Sequence, residues 1–280
     1  MKCDILREGP VSWRARLNVS RNWNRFRKSY TGVDLYDKVI GKPLSGIYLY
    51  KAEEIIGNEG EIPYVYDEAG KKQYLSPDGD EEHSFTKGML RLTDVDGDGQ
   101  ITEDDMVYSG SALPVVYGGF VNEIKWKNFD LNIFFNYSLG RHIVKIYDDL
   151  SMTVNGTAKP LFVDINDVDI WTGAGSKADY PKSQMYVYLL NQTSGRYDCD
   201  IENVSFLRLK QLTLGYNVGE RVLNKLKISS ARLFITGENL FLLTNYSGLD
   251  PELVNPTQGR DNLGSYPLPR KFTVGLSVNF

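Results

Sequence analysis

The most regular pattern in the sequence is an alternation of apolar and polar residues at 270–280 (RKFTVGLSVNF). Every second residue from Phe272 onward is apolar, and those between are small and polar. A period of two is typical of a β-strand with one apolar face. A transmembrane β-barrel strand has about 9 to 11 residues, apolar toward lipid and polar toward the lumen. By itself the run fits either such a barrel or a soluble β-sandwich.

The same alternation recurs upstream, and it is clearest in residues 129–138. The apolar positions of this run are Phe129, Leu131, Ile133, Phe135 and Tyr137, and the intervening polar positions are Asp130, Asn132, Asn136 and Ser138. Weaker runs occupy residues 12–23, 115–126, 203–217 and 231–242. Lys127-Asn128 is predicted to be a hairpin turn. Gly140-Arg141 is predicted to turn the chain again, into a strand at 143–154.

The polar face of the run at 12–23 carries two arginines, Arg14 and Arg16. Unpaired charges are costly in a dry core, whereas a wet barrel lumen accepts them. The chain continues at 21–30 as a basic stretch interleaved with aromatic residues. A stacking platform for nucleic acid is one interpretation of such a stretch. An aromatic belt at a membrane interface, or a solvated strand end, is favoured instead, because the formal charge of -4 gives no general attraction to nucleic acid.

Long segments rich in Gly and Pro separate the strand patterns, at residues 31–92, 155–200 and 243–269. The first is predicted to be irregular and either functional or outside the core, except for a short strand at 46–51. The basic segment within 218–230 is predicted to make a helical turn. Short turns that alternate with long loops are typical of outer-membrane barrels.

Composition excludes some classes of protein. The 280 residues contain no apolar run of about 18 residues, which excludes transmembrane helices. The mean hydropathy of -0.34 does not argue against a barrel, because half of each barrel strand faces water. Residues 1–7 lack the features of a signal peptide. Cys3 and Cys199 are interpreted as isolated thiols.

No catalytic grouping is evident, and the chain is predicted not to be an enzyme. The only histidines are His83, in a loop after two glutamates, and His142, expected at the start of a strand. Aromatic residues in the long loops could stack on sugar or peptide ligands, or could simply pack on one another. These residues are Trp171, Tyr180, Tyr186, Tyr188 and Tyr246.

An acidic loop at 94–105 (DVDGDGQITEDD) matches the calcium-loop pattern. In this pattern the chain wraps a hard cation with carboxylates, one backbone carbonyl and a glycine at the sharp turn, here Gly99. The predicted ligands of Ca²⁺ are Asp94, Asp96, Asp98, the backbone carbonyl of Gln100, and Asp105. Asp105 has a shorter side chain than the usual Glu, and flanking helices are not evident. We therefore expect structural Ca²⁺ rather than a regulatory EF-hand, with a solvated acidic turn as the alternative.

Three C-terminal segments carry a family resemblance: VSFLRLKQLTLGYNV (204–218), ARLFITGENLFLLTNYSGLDPE (231–252) and YPLPRKFTVGLSVNF (266–280). Together they resemble the C-terminal barrel half of SusC/RagA-type TonB-linked outer-membrane transporters. DVDGDGQI, YGGF and FDLNIFF occur upstream in the same order as in that family. The resemblance spans nearly the whole chain.

The resemblance implies an all-β fold in which residues 1–280 form the C-terminal part of a 22-stranded antiparallel transmembrane barrel, without the plug domain or signal peptide. It implies uptake of glycan oligomers or peptides across the outer membrane of a Bacteroidetes-type bacterium. The implied partners are a SusD-like surface lipoprotein, the TonB complex acting through the plug, and outer-membrane lipid. The alternative is a soluble, calcium-stabilised β-sandwich that binds carbohydrate. A dockerin-like module is disfavoured, because only one acidic loop is present where two are expected.

Overall fold

The structure is a computed structural model that describes residues 2–6, 9–34, 38–77, 80–144, 169–175, 178, 197–253, 259 and 266–280. Its strands are β1 (Lys2–Leu6), β2 (Val11–Ser20), β3 (Gly46–Tyr50), β4 (Ala52–Ile55), β5 (Tyr64–Tyr66), β6 (Lys72–Tyr74), β7 (Leu90–Leu92), β8 (Met106–Ser111), β9 (Val116–Trp126), β10 (Phe129–Val144), β11 (Ile201–Asn217), β12 (Ser230–Thr244) and β13 (Lys271–Asn279). The α-helix α1 (Glu220–Leu226) joins β11 to β12 and confirms the predicted helical turn. None of the helices in the described residues is long and apolar enough to span a membrane.

Seven strands form one antiparallel sheet in the order β1-β2-β9-β10-β11-β12-β13. Trp126 pairs with Phe129, so Lys127 and Asn128 form the predicted two-residue hairpin turn. Lys127 adopts a left-handed conformation there, with φ of 50°. The antiparallel all-β class predicted from the sequence is confirmed. The described strands form an open sheet with β1 and β13 at its edges.

The register gives the sheet two different faces, because paired residues in neighbouring strands lie on the same side. The apolar face includes Trp13, Leu17, Phe120, Ile124, Leu131, Ile133, Phe135, Leu207, Leu209, Leu212, Leu214, Leu233, Ile235, Phe241, Leu243, Phe272, Val274 and Leu276. The predominantly polar face includes Arg14, Arg16, Glu123, Asp130, Asn132, Asn136, Arg208, Thr213, Arg232, Thr236, Thr273 and Ser277. Val274 is 70% exposed and Leu276 is 66% exposed. No second sheet of the described residues covers the apolar face.

The predicted turn at Gly140-Arg141 is wrong, because β10 continues to Val144. Gly140 has a φ of 72°, and the register with β11 shifts between Ser138 and Arg141. The glycine therefore marks a bulge, in which the extra residues bend the strand without ending it. Pairing resumes afterwards because β11 extends as far as Ile201 opposite Val144. The rest of the predicted strand at 143–154 lies outside the described residues.

Residues 46–111 form a compact insertion between β2 and β9. Its strands pair in a nested order, β3 with β8, β4 with β7, and β5 with β6. These pairs enclose a hydrophobic core that contains Ile56, Phe85, Met89, Leu92 and Tyr197 among others. For this part, the expectation that residues 31–92 are irregular is therefore wrong, and so is the alternative that they lie outside the core. The alternative that the segment is functional stays a prediction. Strands of three to six residues are too short to show a period of two reliably.

The insertion attaches to the ends of β10 and β11 that lie farthest from the 127–128 turn. Tyr50 forms a parallel bridge with Tyr197, and the amide of Ala52 donates to Asp198 Oδ1 at 2.8 Å. Val144 packs in a cluster with Ile47 and Leu49, among others. Each fully buried apolar side chain of this kind contributes about 1.5–3 kcal/mol. The buried core of the described residues thus lies at this end. His142 also lies there, near the end of β10, so its expected position at the start of a strand is wrong.

Candidate functional site

The polar face of the sheet carries ion pairs between strands, which compensate its charges. Arg232 on β12 donates from Nη2 to Asp130 Oδ2 on β10 at 2.5 Å, and Asn217 Nδ2 donates to Asp130 Oδ1 at 3.0 Å. The hydroxyls of Thr213 and Thr236 lie 2.9 Å apart. Paired and hydrogen-bonded groups of this kind suit a sheltered but hydrated surface better than an apolar core.

The two arginines singled out on β2 are also paired. Arg14 Nε lies 2.6 Å from Asp4 Oδ1 on β1, and Arg16 forms an ion pair with Glu123 on β9. Both arginine side chains remain about half exposed. The charges on this face of β2 are therefore paired and still accessible to water, in agreement with the interpretation of Arg14 and Arg16 as residues of a hydrated face.

A buried ionic cluster fixes the chain that follows β12 to the polar face. Arg208 Nη2 lies 2.5 Å from Asp250 Oδ1, and Arg208 Nε lies 2.5 Å from Glu252 Oε2. Lys210 Nζ is 3.3 Å from the same Glu252 oxygen. The amide of Leu268 donates to Asp250 Oδ2 at 3.0 Å, which also links the approach to β13. No pattern in the sequence predicts this cluster, because its members appear there only as charged residues of a loop and a strand.

Arg141 lies beside this cluster and is only partly satisfied. Its Nη1 donates to the carbonyl of Pro251 at 3.4 Å, and the residue is 8% exposed. Among the described residues neither Nε nor Nη2 has a hydrogen-bond partner. Arg141 therefore adds a buried guanidinium group to the polar face at this end of the sheet.

The acidic loop brings three of its predicted ligands together. Oxygen atoms of Asp94, Asp96 and Asp98 lie within 4.8 Å of one another. Asp94 accepts the amides of Gly97 at 2.6 Å and Gly99 at 2.9 Å, so the chain wraps around its carboxylate. Gly99 has a φ of 85°, which favours glycine at this turn. Carboxylates in such an arrangement are suited to a hard cation.

Electrostatic repulsion is visible at Asp96. The amide of Asp98 donates to its Oδ1 at 3.1 Å and lowers the pKa of this carboxyl group. Desolvation and the negative charges of Asp98, Asp105 and Asp94 together outweigh this hydrogen bond, and the pKa of Asp96 is raised. A bound cation relieves repulsion of this kind.

Asp105 and Gln100 are placed differently from the three clustered carboxylates. Asp105 is fully buried, and its two oxygens accept the amides of Val95 at 2.6 Å and Thr102 at 2.7 Å. With Thr102 it forms a capping box at the short 3₁₀ helix Glu103–Asp105. Its carboxylate thus closes the loop internally. Gln100 donates its amide to Asp98 Oδ1 at 2.8 Å, and the role of its carbonyl stays a prediction.

The loop aromatics divide into different environments. Tyr246 is 6% exposed and packs with Ile143 and Val204, so it belongs to the core and offers no free face for a ligand. Trp171 is partly buried. Tyr180, Tyr186 and Tyr188 lie outside the described residues. His83 ends the 3₁₀ helix Glu81–His83, and Cys3 and Cys199 are free thiols, as expected.

Comparison with known proteins gives consistent results in sequence and in fold. No protein-family model matches the chain. It is 32% identical over 285 residues to TonB-dependent receptor P3 of Formosa agariphila, covering 96% of this chain and 27% of that protein. It is 27% identical over 278 residues to the TonB-dependent receptor SusC of Bacteroides thetaiotaomicron, covering 96% of this chain and 24% of SusC.

Among solved structures, the RagAB peptide importer in its closed-closed state aligns with a TM-score of 0.65 at 23% identity, and in its open-open state with 0.61 at 20%. Both alignments cover 100% of this chain and 28% of the other. The chain spans about a quarter of the length of the curated relatives it matches. From its sequence relatives and its fold, the chain belongs to the TonB-dependent receptors of the SusC/RagA type.

Proposed function

We propose that this chain forms part of the wall of a TonB-dependent importer in the outer membrane of a Bacteroidetes-type bacterium. The importer takes up oligomeric nutrients, either glycan oligomers or peptides. It works with a SusD-like surface lipoprotein and draws energy from the TonB complex through a plug domain. Membership of the SusC/RagA-type receptors supports each of these assignments. The chain itself acts in transport and carries out no chemical reaction.

The observation that carries the proposal is the contrast between the two sheet faces. The apolar face extends across the strands from β2 to β13, and its side chains are exposed or partly exposed. A contiguous apolar surface of this extent on a folded protein indicates contact with lipid or with a partner. The opposite face carries ion pairs and hydroxyl groups, as the lumen of a barrel does. A soluble sandwich requires a second sheet on the apolar face, and the described residues supply none.

Single-cysteine labelling on β13 tests this assignment. In the full-length transporter with Cys3→Ser and Cys199→Ser, a cysteine replaces either Val274 on the apolar face or Thr273 on the polar face. In outer-membrane vesicles, we expect Thr273→Cys to react with a water-soluble maleimide. We expect Val274→Cys to be protected and a fluorophore attached there to be quenched by brominated lipid. Equal labelling at both positions would overturn the proposal.

We further propose that the acidic loop binds structural Ca²⁺ through Asp94, Asp96 and Asp98, with the carbonyl of Gln100 and with Asp105 completing the predicted set. The convergence of three carboxylates and the raised pKa of Asp96 support this proposal. Asp105 contributes in any case by closing the loop through the amides of Val95 and Thr102. The ion would make the loop rigid, which is a structural role.

Isothermal titration calorimetry on the purified full-length transporter, stripped with EDTA, tests the calcium proposal. We expect a binding heat with Ca²⁺ that Asp96→Asn removes. Glu103→Gln is the matched control, because Glu103 is acidic, lies in the same loop and is not a predicted ligand. Absence of Ca²⁺ binding in the unsubstituted protein, or equal binding in Asp96→Asn, contradicts the proposal.

A further inference from the structure

A cleft of about 480 Å³ lies between the β5–β6 hairpin and the acidic loop. We call it the tyrosine cleft. Tyr66 and Tyr74 line it from the hairpin, and Asp98 and Gln100 line it from the acidic loop. Val65 holds the two walls together by packing on Gly99, where an added Cβ would come within 3.1 Å of Val65 Cγ2. Its volume is within the range of small-molecule binding sites, about 300–1,000 Å³.

The aromatic groups at this cleft already accommodate one ammonium group. Lys72 Nζ lies 4.0 Å from the ring centre of Tyr64 and 4.5 Å from that of Tyr74. The ring of Tyr66 lies 5.5 Å from that of Tyr64 and is 66% exposed. Among the described residues no cation lies over the Tyr66 ring. A cationic group from a ligand can therefore extend an arrangement that the protein already uses.

The charge of the cleft points to the same chemistry. Three of its lining residues are acidic, namely Asp67, Glu68 and Asp98, and none is basic. Asp94 and Asp96 add negative charge next to Asp98, against the single positive charge of Lys72 on the Tyr74 ring. Such a potential attracts cations and repels anionic ligands.

The wall of the cleft also includes one hydroxyl group. Ser76 lines the cleft, and the residue is 5% exposed. Its oxygen can accept a hydrogen bond from an N–H donor.

We propose that the tyrosine cleft binds the guanidinium or ammonium group of a basic peptide side chain. The cation lies against the exposed Tyr66 ring, and Ser76 accepts one of its hydrogen bonds. Glu68 compensates its charge, together with Asp98 when the acidic loop holds no ion. A neutral saccharide can stack on tyrosine, but it carries no charge that could compensate the carboxylates of the wall. The binding itself depends only on the insertion, whereas its use as a capture site for nutrients rests on the proposed uptake function.

The test uses the full-length transporter in detergent with EDTA, so that metal binding at the acidic loop does not interfere. The probes are a fluorescent peptide with the core Gly-Gly-Arg-Gly-Gly and the same peptide with citrulline, which is neutral and nearly isosteric with arginine. By fluorescence anisotropy we expect the arginine peptide to bind about tenfold more tightly. Its affinity should fall between about 20 mM and about 300 mM salt, because exposed charges are screened.

Substitutions locate the binding. Tyr66→Ala should weaken the arginine peptide about three- to tenfold and Glu68→Gln about two- to fivefold, while leaving the weak citrulline peptide unchanged. The controls are Tyr30→Ala, an exposed tyrosine outside the cleft, and Glu54→Gln, an exposed glutamate outside it. Equal affinity for both peptides overturns the proposal. It is also overturned if Tyr30→Ala and Glu54→Gln weaken binding as much as the two substitutions in the cleft do. Displacement of the peptide by maltohexaose would overturn it too, and would assign the cleft to neutral glycans.

This result is independent of the labelling result on β13. Selective binding of arginine without protection of Val274→Cys would retain the cleft and reject the lipid-facing wall. The converse outcome would retain the importer and reject the cleft.

Discussion

Arg208 and Asp250 are 42 residues apart in the sequence, yet Arg208 Nη2 lies 2.5 Å from Asp250 Oδ1. Their side chains are only 3% and 2% exposed. The pair joins β11 to the start of the connection between β12 and β13, so residues 250–252 lie against the polar face of the sheet. Asp250 also caps its own segment, because it accepts the amide of Glu252 at 3.0 Å.

Removal of one partner of this pair should destabilise the protein strongly. Arg208→Gln leaves the carboxylate of Asp250 buried without its counter-charge, and we expect a loss of about 3–5 kcal/mol in the free energy of unfolding. Urea unfolding of the full-length transporter in detergent measures the loss. Arg208→Lys should recover only part of it, since a lysine cannot reach both Asp250 and Glu252 as the guanidinium does.

The control for this prediction is an exposed ion pair on the same face. Lys271 Nζ lies 4.0 Å from Glu238 Oε2, and the two side chains are 65% and 40% exposed. Lys271→Gln should change stability by less than about 1 kcal/mol. A similar loss from Lys271→Gln and Arg208→Gln would show that burial does not control the contribution of these pairs.

A substitution at the bulge of β10 tests the backbone conformation there. Gly140 has a φ of 72°, and an added Cβ would lie 3.0 Å from Val115 Cγ2. Gly140→Ala should therefore cost about 1–2 kcal/mol. Gly57→Ala is the control, because Gly57 lacks a positive φ and its Cβ would make only an ordinary contact at 3.4 Å. Equal unfolding midpoints for the two variants would contradict the strain assigned to Gly140.

The long strands could be predicted because their signal is local. In β10 and β13 one parity is apolar and the other polar, so a period of two is visible within each strand. The bulge at Gly140 could not be distinguished from a turn, because a glycine before a charged residue occurs in both. The pairing of Arg141 with Val204, 63 positions later in the chain, identifies the bulge, and the local sequence does not reveal this pairing.

The insertion could not be predicted for a related reason. Its core joins Ile56, Phe85 and Tyr197, which are far apart in the chain. Of the acidic loop, the clustering of Asp94, Asp96 and Asp98 follows from the sequence motif, because the spacing of ligands is local. The burial of Asp105 depends on the amides that it accepts, and the motif does not specify it.

Tyr246 illustrates how a loop aromatic can be a core residue. It is 6% exposed and packs against Ile143 and Val204. Tyr246→Ala should lower the free energy of unfolding by about 3–5 kcal/mol, as truncation of a buried aromatic does. Tyr266→Ala, at a residue that is 94% exposed, should change it by less than about 0.5 kcal/mol. Thermal unfolding followed by circular dichroism compares the two variants.

The same comparison includes a check for ligand binding. If Tyr246 faced a ligand, Tyr246→Ala would reduce substrate affinity without a change in stability. That result would contradict its assignment to the core.

Cys199 offers a test of local electrostatics at the attachment of the insertion. Desolvation and the carboxylates of Asp200 and Asp198 raise the pKa of its thiol above the ordinary value of 9.0. At pH 8 the thiolate fraction is therefore smaller than in the unfolded chain, by about tenfold for each unit of the shift. With Cys3→Ser in place, we expect N-ethylmaleimide to label the folded protein much more slowly than the same protein in urea.

Asp198→Asn separates the effect of charge from that of accessibility. The asparagine oxygen can still accept the amide of Ala52, as Asp198 Oδ1 does at 2.8 Å, while the negative charge is removed. The labelling rate of Cys199 should rise in this variant, because removal of one nearby negative charge increases the thiolate fraction. An unchanged rate at pH 8 would mean that access to the sulfur, and not its protonation, limits the reaction.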